Sequence, residues 1–167
     1  MRHLARVQPA AAHGRAEGEE LTRFCTHCAV LLDAPAAAAS PPHRGRVCTR
    51  CGLGVVLTCA SATLTSAGAA FLVVTADLRV SAASEAAEEL LAVPDGTFGR
   101  PLLSLVTSPE GVGELARLVV RAASGSFAPA TLPVEAASAS ADAELEARVG
   151  ACGNPPAALV VLERVSA

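Results

Sequence analysis

The sequence predicts an α+β chain in which a small metal-stapled ribbon precedes a larger unit of strands and helices. Two cysteine pairs, Cys25-Thr26-His27-Cys28 and Cys48-Thr49-Arg50-Cys51, stand 19 residues apart (29–47) near the start of a 167-residue chain. From residue 70 the pattern changes to strand, strand, helices and then three strands. Two of those strands, Phe71-Leu72-Val73-Val74 and Ala157-Ala158-Leu159-Val160-Val161-Leu162, are apolar on both faces. Strands of that kind belong in the middle of a sheet whose two faces are both covered.

Each cysteine pair leaves two residues between its sulfurs, the spacing of a knuckle that offers two thiolates to one ion. Cys25, Cys28, Cys48 and Cys51 are therefore expected to close a tetrahedral, structural Zn²⁺ site with no open position for water or substrate. Iron uses the same ligand set, and spacing does not separate the two metals. His27 and His43 are expected to be solvated loop residues, because four cysteines already satisfy a tetrahedral ion. Two disulfides would need an oxidising compartment, and Met1-Arg2-His3-Leu4 begins no apolar run of the secretory kind, so a cytoplasmic protein is expected. A ribbon this short is expected to draw most of its folding free energy, on the order of 10 kcal/mol, from the metal, so that a chelator melts it first.

Taken in order, residues 1–20 carry Pro9, Gly14, Gly18 and scattered charges, and read as a mobile arm. Residues 21–58 are the expected ribbon. Val30-Leu31-Leu32 packs on the metal site, Pro35 to Pro42 forms a flexible loop, Gly52 and Gly54 let the backbone turn around the ion, and Val55 to Thr58 completes the hairpin. Residues 59–68 read as a linker. Phe71–Val74 is a strand, Ala76-Asp77 a turn and Leu78 to Ala82 the hairpin partner. Ser84 caps a helix from Glu85 that carries Glu85, Glu88 and Glu89 near its positive end, turns Leu90, Leu91 and Val93 inward and is stopped by Pro94-Asp95-Gly96. A short helix is expected at Leu102 to Val106. Ser108-Pro109-Glu110 is expected to open a longer helix with Val112, Leu115, Ala116, Val119 and Ala122 on one face, ended by Gly125. Strands follow at Thr131 to Ala137, Glu144 to Val149 and Ala157 to Val165. Glu144 to Val149 alternates strictly, one face buried and one wet. Cys59 and Cys152 have no partner at knuckle spacing and are expected to be buried small hydrophobes.

Composition bounds the chemistry. The chain has no Trp, no Tyr and no Lys; all 13 basic residues are arginine, a usage that reads as a GC-rich bacterial genome. Its net charge of −3 divides unevenly: residues 1–50 hold seven arginines and four acids (+3), and residues 51–167 the other six arginines and twelve acids (−6). Residues 51–76 carry no charge and are long enough to cross a bilayer. Their Ser-, Thr- and Gly-rich middle and β-branched ends predict two strands and a connection instead, with no membrane span.

From Phe71 onward the chain resembles a PAS domain. The resemblance is carried by Phe71-Leu72-Val73-Val74, Asp77-Leu78-Arg79-Val80, Ser84-Glu85-Ala86-Ala87-Glu88-Glu89-Leu90-Leu91, Gly99-Arg100-Pro101-Leu102 and, for the last strand, Leu159-Val160-Val161-Leu162-Glu163. It covers residues 69–166 and implies a five-stranded antiparallel sheet of order 2-1-5-4-3, with helices on one face and the first and last strands central. Family members often carry Asn where Ser84 stands and Gly where Ala92 stands; neither change threatens the fold. Haem-binding members use a histidine on or near the long helix, and flavin-adduct members a cysteine on the short one. All four histidines here precede residue 44 and residues 97–124 contain no cysteine, so neither haem nor a flavin adduct is expected.

The resemblance implies a sensor, partner-binding or dimerisation module, and the fold alone does not choose among them. The leading expectation is a small, non-enzymatic regulatory protein of the bacterial signalling type, a zinc ribbon joined to a PAS domain. It would act through a small apolar ligand or a protein partner, and as a homodimer through the PAS sheet or the N-terminal segment. The sequence contains no kinase, cyclase or transcription-factor pattern after the PAS-like stretch, so the signal is expected to leave by binding. The alternative is a transcriptional regulator in which Arg44, Arg46 and Arg50 beside the second knuckle contact nucleic-acid phosphates and the PAS domain dimerises. An enzyme is the weakest reading: the metal has no open position, and no phosphate-cradling glycine loop or nucleophile elbow appears.

Overall fold

The computed structural model describes residues 20–32, 46–93, 95–125, 128–138 and 144–165. The expected N-terminal arm up to residue 19, the loop Pro35 to Pro42, His43, Arg44 and Pro94 lie outside the described residues, as does the side chain of Arg46.

Among the described residues, ten strands join one sheet. In the ribbon, β1 (Leu21–Cys25) pairs antiparallel with β2 (Leu31–Leu32) and with β4 (Val55–Ala60), and β3 (Arg46–Val47) pairs with β4. In the larger part, β5 (Ala70–Val74), β6 (Val80–Ala83), β7 (Val106–Thr107), β8 (Ala130–Ala136), β9 (Leu145–Cys152) and β10 (Ala157–Arg164) follow in chain order. Their pairings run β6 to β5 to β10 to β9 to β8, all antiparallel, with β7 added beside β8. The result is an α+β, broadly PAS-like curled sheet. The ribbon and the larger part are joined within it by one register pair, Cys59 with Cys152, between β4 and β9.

Two apolar layers sandwich β5 and β10. On the inner face Leu72, Val74, Ala158, Val160 and Leu162 pack under α1 (Glu85–Leu91) and α2 (Val112–Ala123), through Ala87, Leu91, Leu115, Val119 and Ala122. On the outer face Phe71, Val73, Leu159 and Val161 pack against Phe24, Ala29, Cys59 and Leu64. The double burial read from the two strands thus has a concrete cover: the ribbon and the stretch after β4. Phe24 meets Phe71 edge to face, ring centroids 5.2 Å apart, the favoured arrangement for aromatic quadrupoles.

The stretch expected as a linker is part of this cover. Cys59 and Ala60 continue β4, and Thr63 and Leu64 are buried. Thr63 lies across Gly150 of β9, where an added Cβ would come within 2.2 Å of its Oγ1. Arg148 of β9 bonds Glu163 on β10 at 3.1 Å and reaches Thr65 at 3.4 Å, pinning the same stretch at its other side.

Most boundaries follow local chemistry. Ser84 Oγ accepts from Ala87 N and Phe71 N and donates to Ala69 O, so one hydroxyl caps α1 and holds the start of β5. The strand expected from Leu78 begins at Val80, because Leu78 sits in the turn with φ 62° and donates to Thr75 O. The short helix is a single 3-10 turn at Leu102–Ser104, after which Val106 and Thr107 enter the sheet. The expected start of the long helix at Ser108-Pro109-Glu110 is not observed. Ser108 Oγ accepts from Glu110 N, and Ser108 O from Gly111 N, closing a turn; α2 then begins at Val112 behind Gly111, whose φ of 109° suits only glycine.

Candidate metal centre

The first knuckle grows directly from the end of β1. Cys25 O accepts from Ala29 N at 3.2 Å, and Ala29 follows Cys28 in the left-handed region, φ 52°. The second knuckle repeats the device: Cys48 O accepts from Gly52 N at 2.9 Å, and Gly52 follows Cys51 with φ 71°. Each chain reversal turns its two cysteine side chains to one side. Thr26 locks the knuckles together, because its N donates to Val55 O at 2.9 Å and its Oγ1 accepts from Val55 N at 3.0 Å.

The four sulfurs of Cys25, Cys28, Cys48 and Cys51 all lie within 4.8 Å of one another, and Cys25 Sγ is 3.6 Å from Cys51 Sγ. Tetrahedral zinc with bonds of about 2.3 Å sets its sulfurs about 3.8 Å apart, so the donor set fits such an ion. Cys25 and Cys48 are buried and Cys28 and Cys51 half-buried.

Backbone amides prepare the sulfurs for a cation. Gly54 N points at Cys51 Sγ from 3.5 Å and His27 N at Cys25 Sγ from 3.4 Å. The amides of Gly54 and Leu53 hold the Cys51 thiol down at about 6, and those of Cys51 and Arg50 lower Cys48. Burial works against Cys25, pushing it up to about 12 despite the His27 and Cys28 amides. A dication supplies what burial withholds, since coordination deprotonates a thiol outright.

Gly54 makes the approach possible. A Cβ there would stand 2.4 Å from Cys25 Sγ and 2.8 Å from His27 N. Sequence reading placed Gly54 at the turn but missed Thr26, whose bonds run across to β4. It also missed the seat of the knuckle on the larger part: Glu85 N, at the start of α1, donates to His27 O at 3.2 Å, and Gly68 N donates to Ala29 O at 3.1 Å. Local spacing carries no signal for either.

Away from the cluster, Cys59 and Cys152 are buried as expected, and burial pushes each up to about 12. Arg50 is exposed beside the second knuckle. Among the described residues, no helix is long and apolar enough to cross a membrane.

Fold and site together define an α+β, broadly PAS-like protein bearing a four-cysteine cluster able to coordinate a metal ion such as Zn²⁺. No family model matches the chain, and no curated protein matches it. Among solved structures it is similar to the PAS domain of nitrogen regulation protein NR(II) from Vibrio parahaemolyticus, with 17% identity over 57% of this chain and 88% of that one, at a TM-score of 0.45.

Proposed function

We propose that the chain is a small, non-enzymatic signalling or regulatory protein. In it Cys25, Cys28, Cys48 and Cys51 hold a structural zinc ion, and a PAS sensor or protein-interaction domain acts through ligand or partner binding. The observation that carries this reading is the bond from Glu85 N to His27 O, which seats the metal knuckle on the first turn of α1. A ligand or partner that shifts α1 therefore pulls on the ribbon, and the ribbon's fixed shape depends on its metal.

Further support comes from the strand pairing β6–β5–β10–β9–β8, which is compatible with the order 2-1-5-4-3 that the PAS resemblance implies if the two-residue β7 beside β8 is left out of the numbering. In functional terms the chain divides into a ribbon at 21–58, a connection at 59–68 and a PAS domain at 69–166. A recess of about 300 Å³ beside α1, lined by Gly68, Ala70, Ala86, Glu89, Leu90, Leu162 and Arg164, is a place for a small molecule with an apolar body and a polar end. The ribbon occupies the outer faces of β5 and β10, so a homodimer would form through the rest of the sheet or through the N-terminal segment. Leu53 and Phe98, 74% and 80% exposed, offer apolar side chains to a protein partner. A cytoplasmic location suits zinc-bound thiolates.

Mass spectrometry of the purified protein, native and then denatured, tests the reading in one experiment. One zinc per chain is expected, in a dimer. An added organic mass identifies a sensed ligand, and none points to a protein-interaction module. Iron in place of zinc changes the metal and keeps the architecture; metal-free protein from a chelator-free preparation overturns the zinc site. Steeply salt-dependent binding of DNA or RNA would instead favour the transcriptional reading, with Arg50 at the contact.

A further inference from the structure

Cys59 lies one residue from the end of β4, and Cys152 ends β9. They face each other in register, and theirs is the one register pair between those strands. Gly153 N donates to Thr58 O at 2.9 Å, so the hydrogen bonds flank the two cysteines instead of joining them. That is the non-hydrogen-bonded position of an antiparallel ladder, where facing Cα atoms stand about 4.5 Å apart and side chains approach most closely. Disulfides span Cα separations of about 4.4–6.8 Å. Both side chains enter the same apolar cluster and both are free thiols; burial first, and then the charge of a Cys59 thiolate, disfavours ionisation of Cys152.

We propose that Cys59 and Cys152 are an oxidation site, a dithiol pair that a peroxide converts to a cross-strand disulfide fastening the ribbon to the larger sheet. In the first step one sulfur, as thiolate, attacks a peroxide oxygen; the O–O bond breaks, a sulfenic acid forms and one water leaves. In the second the other sulfur displaces the hydroxyl from the sulfenic sulfur, which departs with the remaining thiol proton as a second water. Two S–H bonds and one O–O bond are lost, one S–S bond and two O–H bonds are formed, and the pair gives up two electrons to the peroxide. Burial makes both thiols slow in this chemistry. Because a single register pair joins β4 to β9, that junction can open and admit the oxidant without unzipping the β1–β4 or β9–β10 ladders. Once formed, the bond holds β4 to β9 whether or not the knuckles are metallated. The four knuckle cysteines take no part, and the pair works equally in a sensor, a regulator or a scaffold.

The test uses the zinc-loaded full chain treated with hydrogen peroxide, followed by alkylation in denaturant and tryptic mapping. Cleavage after Arg50, Arg79, Arg148 and Arg164 puts Cys59 in peptide 51–79 and Cys152 in peptide 149–164. The expected result is a dithiothreitol-reversible link between these two peptides, placed by fragmentation at Cys59 and not at Cys51, and lost in Cys59→Ala and Cys152→Ala. The wild-type map is decisive even if either variant folds poorly. Recovery of Cys59 and Cys152 as alkylated thiols, or of Cys152 joined to Cys51 or another cysteine, overturns the proposal.

Discussion

At Gly54 one hydrogen atom does what no side chain could: it lets the turn after the second knuckle pass against Cys25 Sγ and the backbone of His27. Gly54→Ala is therefore expected to spread the four sulfurs and lower zinc affinity by tenfold or more, read by competition with a chromogenic chelator. Gly52→Ala is its control: a Cβ there meets nothing within 4 Å, and only the backbone conformation at φ 71° resists, at about 1 kcal/mol. Equal losses in the two variants would show that backbone strain, not the approach to Cys25, matters. Cys59 and Cys152 make a separate prediction through pH. Burial raises both thiols from 9.0 to about 12, so above about pH 9 the unfolded chain sheds protons that the folded chain keeps. Their contribution to stability is complete below that pH and is lost as the pH rises toward 12. Urea midpoints are expected to fall between about pH 8 and about pH 10 and to fall less in the Cys59→Ala/Cys152→Ala double variant; parallel slopes would refute it.

The helix α1 shows what could and could not be read in advance at the scale of an element. Its cap was legible, because Ser followed by an acidic, apolar-periodic run has one local meaning; the second and third bonds of Ser84, to Phe71 N and Ala69 O, were not, since they depend on where β5 lies. Ser84→Ala thus removes more than a cap. It strands the buried Phe71 N–H as well, and a loss of about 2–3 kcal/mol is expected in denaturant unfolding, against about 1 kcal/mol for a cap alone. At the other end Ala92 occupies the left-handed C-cap, φ 48° and ψ 43°, the position where the PAS resemblance favours Gly. An L side chain there costs roughly 1–2 kcal/mol, partly offset by the entropy glycine loses on folding. Ala92→Gly is expected to raise stability by up to about 1 kcal/mol, and a destabilised variant would contradict that assignment. The same cap logic misplaced the start of α2, because Ser108 spends its oxygen on a turn and leaves the boundary to the backbone freedom of Gly111.

For the whole molecule, the cysteine spacing and the doubly apolar strands were legible, and so was the need for a cover, which the ribbon, residues 60–69 or a second copy of the chain could supply. Which side chains do so was not, since nothing local in Phe24 or Leu64 tells that they cover Phe71 and Leu159. That cover changes what metal removal should do. A ribbon standing apart would melt alone on chelation, leaving the larger part intact. Here the ribbon forms much of the outer wall over Phe71, Val73, Leu159 and Val161, apolar side chains whose full burial is worth about 1.5–3 kcal/mol each. Chelation is therefore expected to expose apolar surface on the central strands and to weaken both parts together. Two measurements check this: binding of a hydrophobic dye should rise as metal leaves, and amide protection should fall in β5 and β10 as well as in β1 and β4. Protection lost from β1 and β4 alone, with no added dye binding, would mean that the larger sheet keeps its outer face closed without the ribbon. In that event the bond from Glu85 to His27 transmits little, and the metal serves the ribbon only.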